Sequence, residues 1–164
     1  MSLPEASGAP AGFWRSVADT EAIGPARFVV PGDMTGGSFG LFEFGTVPGR
    51  SAAIPHYHRG FSESFYVLTG RLAVMSGREW RVCASGDFAH VPVDGVHAFR
   101  AVGDETARFL ILFVPGAPRE RYFRGLAELM SRETPPTPEE IDEFALSCDQ
   151  VNLRDWESGP IPEH

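Results

Sequence analysis

The sequence predicts an all-β domain of the sandwich or barrel type. Between residues 26 and 114, apolar residues recur at every second position in short runs, and Gly, Pro, Ser or Asp separate these runs. The chain has 164 residues, of which 18 are Gly and 14 are Pro, and this composition favours many turns over long helices. The length suits one domain with a single core.

Eight strands are predicted in this stretch. The first two end at Pro31-Gly32 and Pro48-Gly49, where turn residues interrupt the alternation. Ser76-Gly77-Arg78 separates two alternating runs and predicts a hairpin. The predicted ranges are 26–30, 38–47, 63–68, 71–75, 79–83, 87–91, 96–100 and 107–114.

After residue 115 the period changes to that of a helix. Apolar residues at helical spacing predict one helix over 119–130. A second helix is predicted to begin after Thr137, because Pro138 suits the first helical position and Glu140 completes a capping box. Both helices are expected to pack on the outside of the strands. The predicted organisation is a partly disordered N-terminal arm over 1–22, a β-domain over 23–116 and a helical extension over 117–164.

Charge and apolar content exclude several classes of partner. The formal net charge is −8, so the chain is expected to avoid nucleic acid and anionic membrane surfaces. No apolar run approaches the ~20 residues of a membrane span, and the first residues do not have the pattern of a signal peptide. Cys83 and Cys148 form no spacing motif, which favours two reduced thiols in a cytoplasmic protein.

Four residues with metal-binding side chains lie between positions 56 and 97. His56 and His58 are separated by one residue, so on a strand both imidazoles project to the same side. A polar, glycine-containing link leads to Glu63, and His97 begins a later strand that can lie beside the first. The spacing predicts that these four side chains share one metal ion.

The donor set indicates which metals are suitable. Three imidazoles and one carboxylate suit Fe, Mn, Ni, Co, Cu or Zn far better than Ca or Mg, which prefer oxygen ligands only. With four protein ligands, an octahedral ion keeps about two positions for water, substrate or dioxygen. The predicted cofactor is therefore one divalent transition metal in an open, reactive site.

Two sequence motifs resemble those of the cupin superfamily. Residues 56–63 followed by Gly70 resemble the first cupin motif, and residues 86–97 resemble the second, in which a Pro precedes the last His by five positions. The resemblance implies a jelly-roll β-barrel, or double-stranded β-helix, with the metal inside. It also implies that the metal ligands are His56, His58, Glu63 and His97.

Among cupins, the chain looks most like the single-domain quercetin dioxygenase-like group, through residues 62–68, 122–128 and 135–141. The resemblance implies a metal-dependent dioxygenase that acts on a small aromatic or enolisable substrate with dioxygen. Glu63 would then be both a metal ligand and the base that accepts a proton from an enol or phenol. The resemblance also implies a homodimer.

Five apolar residues are candidates for a substrate pocket. Phe65 and Val67 share parity with Glu63 on one strand, and Phe99 shares parity with His97 on another. Phe42 and Phe44 come from an earlier strand. All five are expected to face the interior, where they either pack the core or line a pocket.

Two other functions remain open at this point. The same metal site suits an oxygen-independent isomerase, cyclase or decarboxylase, which dioxygen consumption would distinguish from an oxygenase. A non-enzymatic cupin that binds a small molecule is the third interpretation, although no helix-turn-helix segment accompanies the predicted barrel.

Overall fold

A computed structural model describes residues 11–162 of the chain, apart from the side chains at positions 51 and 52. Residues 1–10 of the predicted N-terminal arm lie outside the described residues. The described part of the arm contains one short 3₁₀ turn, Val17–Asp19, capped by the Ser16 hydroxyl. None of the helices between residues 11 and 162 has the length and hydropathy of a membrane span.

The described residues form eleven strands in two antiparallel sheets. The first sheet has the strand order β1-β2-β3-β10-β5-β8 and the second has the order β11-β4-β9-β6-β7. The strands are β1 (Ala22–Ile23), β2 (Ala26–Val30), β3 (Gly40–Thr46), β4 (Ser51–Tyr57), β5 (Ser62–Thr69), β6 (Arg71–Ser76), β7 (Glu79–Cys83), β8 (Phe88–Val91), β9 (His97–Val102), β10 (Ala107–Val114) and β11 (Val151–Asn152).

The sheet topology agrees with a jelly roll but corrects the prediction of a closed barrel. From β3 to β10 the chain passes from one sheet to the other at every connection except the β6–β7 hairpin. Among the described residues, however, β8 ends one sheet and β7 ends the other, and the two sheets are not joined into a single ladder. The sheets instead pack face to face through their side chains, as in a sandwich.

The range of strand β4 was not among the eight predicted ranges, although the spacing of His56 and His58 was interpreted as that of a strand. Its Pro55 lacks an N–H and normally argues against a strand with neighbours on both sides. The β4–β9 pairing accommodates it by register shifts between Ser51 and Ala53 and between Ala53 and His56. On its other side, β4 pairs with β11, so the C-terminal part of the chain lies beside His56.

The core between the sheets is rich in phenylalanine. Phe99 of β9 lies 5.3 Å from Phe65 of β5 and 5.4 Å from Phe109 of β10, measured between ring centres. All three side chains are buried, which places them among the residues that stabilise the fold most strongly. The core is therefore formed by residues that alternate inward along strands of both sheets.

Two helices lie between β10 and β11 in the described chain. They are α1 (Arg119–Met130) and α2 (Pro138–Ser147). The predicted capping box is confirmed, since the Glu140 N–H donates to the Thr137 hydroxyl and the Thr137 N–H donates to the Glu140 carboxylate.

Helix α1 does not pack only on an outer face of the strands, as was expected. Its Phe123 lies 5.7 Å from Phe42 and 5.1 Å from Phe44, and both of these rings belong to the core between the sheets. The helix therefore contributes side chains to the interior. This position brings α1 close to the candidate site.

Candidate metal centre

The four predicted ligands converge at one end of the sandwich. His56 lies near the end of β4, His58 just follows that strand, Glu63 lies in β5 and His97 begins β9. One ligand atom from each residue can be chosen so that all lie within 4.8 Å of one another. All four side chains are buried, with at most 4% of each residue exposed.

Strand pairing explains this convergence. His56 and His97 are direct partners in the antiparallel β4–β9 ladder, and their ring centres are 4.1 Å apart. Glu63 reaches the same point from the opposite sheet. Its Oε2 lies 3.1 Å from the Nε2 of His58 and 3.1 Å from the Nε2 of His97.

The backbone holds each imidazole in one orientation. In all three rings Nδ1 lies within hydrogen-bond distance of a carbonyl oxygen, which can only accept. Nδ1 must therefore carry a proton in each ring, which leaves Nε2 as the atom that a metal ion at the shared centre would take. The distances are 2.7 Å from His56 to the Ile54 carbonyl, 2.5 Å from His58 to that of Asp149 and 2.9 Å from His97 to that of Gly95.

The electrostatics of the cluster favour the protonation states that a metal requires. Burial lowers the pKa of His56 well below its ordinary value and also lowers the pKa of His58, which favours the neutral form that a metal requires. Burial alone would raise the pKa of Glu63. The imidazoles of His97 and His58 outweigh that effect and hold the pKa of Glu63 well below its ordinary value.

The chemistry of this donor set fits a transition metal. Neutral imidazole nitrogens and an ionised carboxylate are the ligand types found with Fe, Mn, Co, Ni, Cu and Zn. The Nδ1–H groups of the three histidines already donate to backbone carbonyls. Hydrogen bonds of this kind are usual for histidines that bind a metal. The cluster of His56, His58, Glu63 and His97 can therefore hold one metal ion.

A cavity of about 440 Å³ opens beside the cluster. Of the four candidate ligands, His56 and Glu63 line it. One wall is apolar and comes from the strands, whereas a second wall, from α1 and the C-terminal segment, carries polar groups together with the apolar side chains of Phe123, Leu126 and Met130. The apolar wall includes Phe44, Phe99, Ile111 and Phe113, and the second wall includes Arg119, Tyr122, Gln150 and Asn152.

Comparison with known proteins agrees with this geometry. Residues 42–113 match the model of the cupin domain family. These residues form a cupin domain. A structure from Thermotoga maritima, described as a predicted oxalate decarboxylase, has a TM-score of 0.52, with 18% identity over 55% of this chain and 78% of that one, and shows the shared fold.

Two curated relatives of this cupin are quercetin 2,3-dioxygenases. The Bacillus subtilis (strain 168) protein is 33% identical over 49% of this chain and 23% of its own length. The Aspergillus japonicus protein is 33% identical over 71% of this chain and 35% of its own length. The chain thus spans between about a quarter and a third of the length of these relatives.

The structure separates the five predicted pocket residues of this cupin into two groups. Phe44 and Phe99 line the cavity. Phe42, Phe65 and Val67 lie in the core and do not line it, because neighbouring rings cover them. The ring of Phe42, for example, lies 5.3 Å from that of Phe113.

Four polar residues of the cavity were not anticipated from the sequence: Arg119, Gln150, Asn152 and Arg154. Arg119 could have been found, because in the predicted helix over 119–130 it precedes Tyr122 by three positions and so lies on the same helical face. Gln150 and Asn152 lie on or beside a strand of two residues, which is too short to show a period.

Asp149 is a further residue that the sequence did not single out. Its backbone carbonyl contacts His58. Its carboxylate accepts hydrogen bonds from the backbone N–H groups of Arg59 and Gly60 at 3.0 and 2.8 Å. These bonds attach the C-terminal segment to the loop that carries His58. His90, in contrast, is exposed and lies outside the cluster, with its Nδ1 2.8 Å from the Ser64 hydroxyl.

Proposed function

We propose that this cupin is a metal-dependent dioxygenase that acts on a small aromatic or enolisable substrate. The metal ligands would be His56, His58, Glu63 and His97. The observation that carries the proposal is the convergence of these four side chains beside a cavity with an aromatic wall. The similarity to two quercetin 2,3-dioxygenases supports the choice of reaction.

The cavity suits a substrate of this class. Its volume of about 440 Å³ is in the range of small-molecule sites. Phe44 and Phe99 face it with aromatic rings, which favour stacking or edge contacts with an aromatic substrate and exclude water. A bound divalent transition metal would supply Lewis acidity and reactivity toward dioxygen.

Glu63 is the residue that we assign to proton transfer. It is the one carboxylate that belongs to the cluster and also borders the cavity. The imidazoles keep it ionised, so it can accept a proton from a substrate hydroxyl that lies against this wall. Because its pKa is lowered, the hydroxyl must itself be acidic, as in an enol or phenol.

The test combines elemental analysis with oxygen-electrode assays on flavonols, diketones and phenols. We expect one transition metal per chain and dioxygen consumption with at least one of these classes. Glu63→Gln should retain metal through the three imidazoles and lose turnover, whereas the exposed Glu79→Gln should behave like the wild type. Undiminished turnover by Glu63→Gln would exclude the proposed role of this carboxylate.

The same experiment tests the oxygen-independent alternative. An isomerase, cyclase or decarboxylase would use the same metal and the same carboxylate but would form product without consuming dioxygen. Metal binding with substrate turnover and an unchanged dioxygen concentration would therefore replace the dioxygenase proposal.

We also propose a cytoplasmic homodimer. Cys83 and Cys148 are free thiols, which supports a reducing location. On the outer face of the first sheet, Tyr66 and its β8 partner Phe88 are 44% and 63% exposed at an edge of the sheet. A second copy that covers this edge would bury both rings.

Sedimentation of the purified protein tests the dimer. Phe88→Glu should shift the protein to a monomer, while Leu146→Glu, on the distant helix α2, should not. A wild-type protein that sediments as a monomer at all concentrations would contradict the proposal.

A further inference from the structure

Arg119 is a buried cation in the wall of the candidate site. Although arginine is seldom fully buried without a partner charge, only 4% of Arg119 is exposed. The carbon atom at the centre of its guanidinium lies 4.2 Å from the ring centre of Tyr122 and 5.5 Å from that of Phe61. The residue lines the same cavity as His56 and Glu63.

The hydrogen-bonding capacity of this guanidinium is only partly used. Arginine has five N–H donors. Nη1 donates to the Cys148 carbonyl at 3.2 Å and Nη2 donates to the Gln150 side-chain oxygen at 2.8 Å. Nε has no hydrogen-bond partner among residues 11–162.

The positive charge is likewise not neutralised by a contact. Within the described part of the chain, no carboxylate lies within 4.0 Å of the guanidinium, and both acceptors that it contacts are neutral. The carboxylates of Glu63 and Asp149 act on this charge only from beyond contact distance. A buried charge that contacts no counter-charge is costly, so an anion bound directly against it would be favoured.

A network of amide and phenol groups holds Arg119 in place. Gln150 donates through its amide nitrogen to the Tyr122 hydroxyl at 3.0 Å and to the Asn152 oxygen at 3.0 Å. The Gln150 oxygen is thereby oriented toward Arg119. The guanidinium is thus positioned before any ligand arrives, which lowers the entropic cost of binding.

We propose that Arg119 binds a carboxylate of the substrate, so that the site selects a small aromatic or enolisable acid. The inference rests on the proposed function only in assigning this anion to the substrate. A planar guanidinium with free donors matches the two oxygens of a carboxylate. The C-terminal segment would then recognise the acid group, while the metal cluster and Glu63 act on the remainder of the molecule.

A purely structural role for Arg119 makes a different prediction. If the guanidinium only joins α1 to the Cys148 carbonyl and Gln150, the cavity should not distinguish an acid from a neutral compound of the same shape. The measurement that distinguishes the two roles is therefore the difference in affinity between a charged and a neutral ligand of the same shape. The stability of a variant does not distinguish them.

Calorimetric titration with benzoate and with benzamide provides this measurement. Both probes should be tested on metal-free and Zn-loaded protein, because the metal-free form removes binding of benzoate to the metal. We expect benzoate to bind at least about tenfold more tightly than benzamide in both forms. Equal binding of the two probes by the metal-free wild type would overturn the proposal without any variant.

Two substitutions on α1 then assign the preference to one side chain. Arg119→Gln should abolish the preference for benzoate, and Arg119→Lys should retain part of it, since the charge remains without the planar fork. Arg121→Gln, which alters an exposed arginine on the same helix, is the matched control and should leave it unchanged. A preference that survives in folded Arg119→Gln protein would contradict the assignment.

These results can be separated from those for the proposed function. Benzoate preference without dioxygen consumption would preserve the carboxylate site and reject the dioxygenase. Dioxygen consumption without benzoate preference would preserve the dioxygenase and reject the role of Arg119.

Discussion

The strands and the C-terminal segment contribute to the same cavity in contrasting ways. The strands supply the candidate metal ligands and an aromatic wall, whereas residues 119–152 supply Arg119, Gln150 and Asn152. The cupin family match, over residues 42–113, covers the first contribution and ends before the second. If the proposed function holds, the metal centre and the site for an acidic group of the substrate are encoded in separate parts of the chain.

The two parts also differ in charge. The strand side presents a carboxylate, Glu63, whose pKa is held low by the neighbouring His97 and His58 and which suits a metal cation. The C-terminal side presents a buried guanidinium, Arg119, which suits an anion. A substrate with one acidic group and one enol or phenol group would match both sides.

The largest expected effect separates the two regions by metal content. His97→Ala removes one of three imidazoles from the cluster and should lower the metal content from about one ion per chain to near zero. Arg119→Gln should retain the metal, because its side chain is not among the candidate ligands. Elemental analysis after dialysis measures both.

The control for that experiment is His90→Ala, which removes an exposed imidazole outside the cluster. Its metal content should equal that of the wild type. Full metal occupancy in His97→Ala, or an equal loss of metal in His90→Ala, would show that metal content does not distinguish the two regions.

The next effect concerns stability. Phe109 is completely buried between the sheets, so Phe109→Ala should lower the free energy of unfolding by about 3–5 kcal/mol. Leu126 on α1 is only partly buried, and Leu126→Ala should cost less. Urea unfolding measures both, and equal losses would show that the helix belongs to the core as fully as the strands.

The pH dependence of the metal-free protein tests the strand side alone. The folded protein holds the pKa values of His56 and His58 below their ordinary value of 6.5, so the unfolded chain takes up protons first as the pH falls. The free energy of unfolding should be greatest above about pH 6.5 and should decrease as the pH falls toward the folded-state values.

Urea unfolding of metal-free protein between pH 8 and pH 5, approximately the range in which histidine titrates, measures this dependence. The exposed His90→Gln variant is the control and should follow the same curve. A stability that is constant across this range would show that the cluster does not resist protonation.

The smallest expected effect is confined to the C-terminal segment. Thr137→Ala removes the hydroxyl that caps α2 and should lower the free energy of unfolding by about 1 kcal/mol. Thr137→Ser keeps the hydroxyl and should lose little. Metal content should not change in either variant, and a loss of metal would show that α2 supports the cluster.

The sequence was most informative where local patterns carry the structure. The alternation in 107–114 and the capping box at Thr137 both correspond to observed elements. The strand that carries His56 was assumed from the spacing of His56 and His58 but was given no bounds, because Pro55 interrupts its pattern. The register shifts that accommodate Pro55 depend on β9. Closure of the barrel was predicted from family resemblance, but the edges at β7 and β8 leave two sheets.

The sequence by itself determined the donor atoms of the candidate centre and their spacing. Alternation along a strand and the two motifs are local properties that the printed residues show directly. Only the tertiary structure decided that Arg119, Gln150 and Asn152 lie in the same cavity. Their position depends on β11 pairing with β4 across about ninety residues of chain, and local periodicity carries no information about a pairing at that distance.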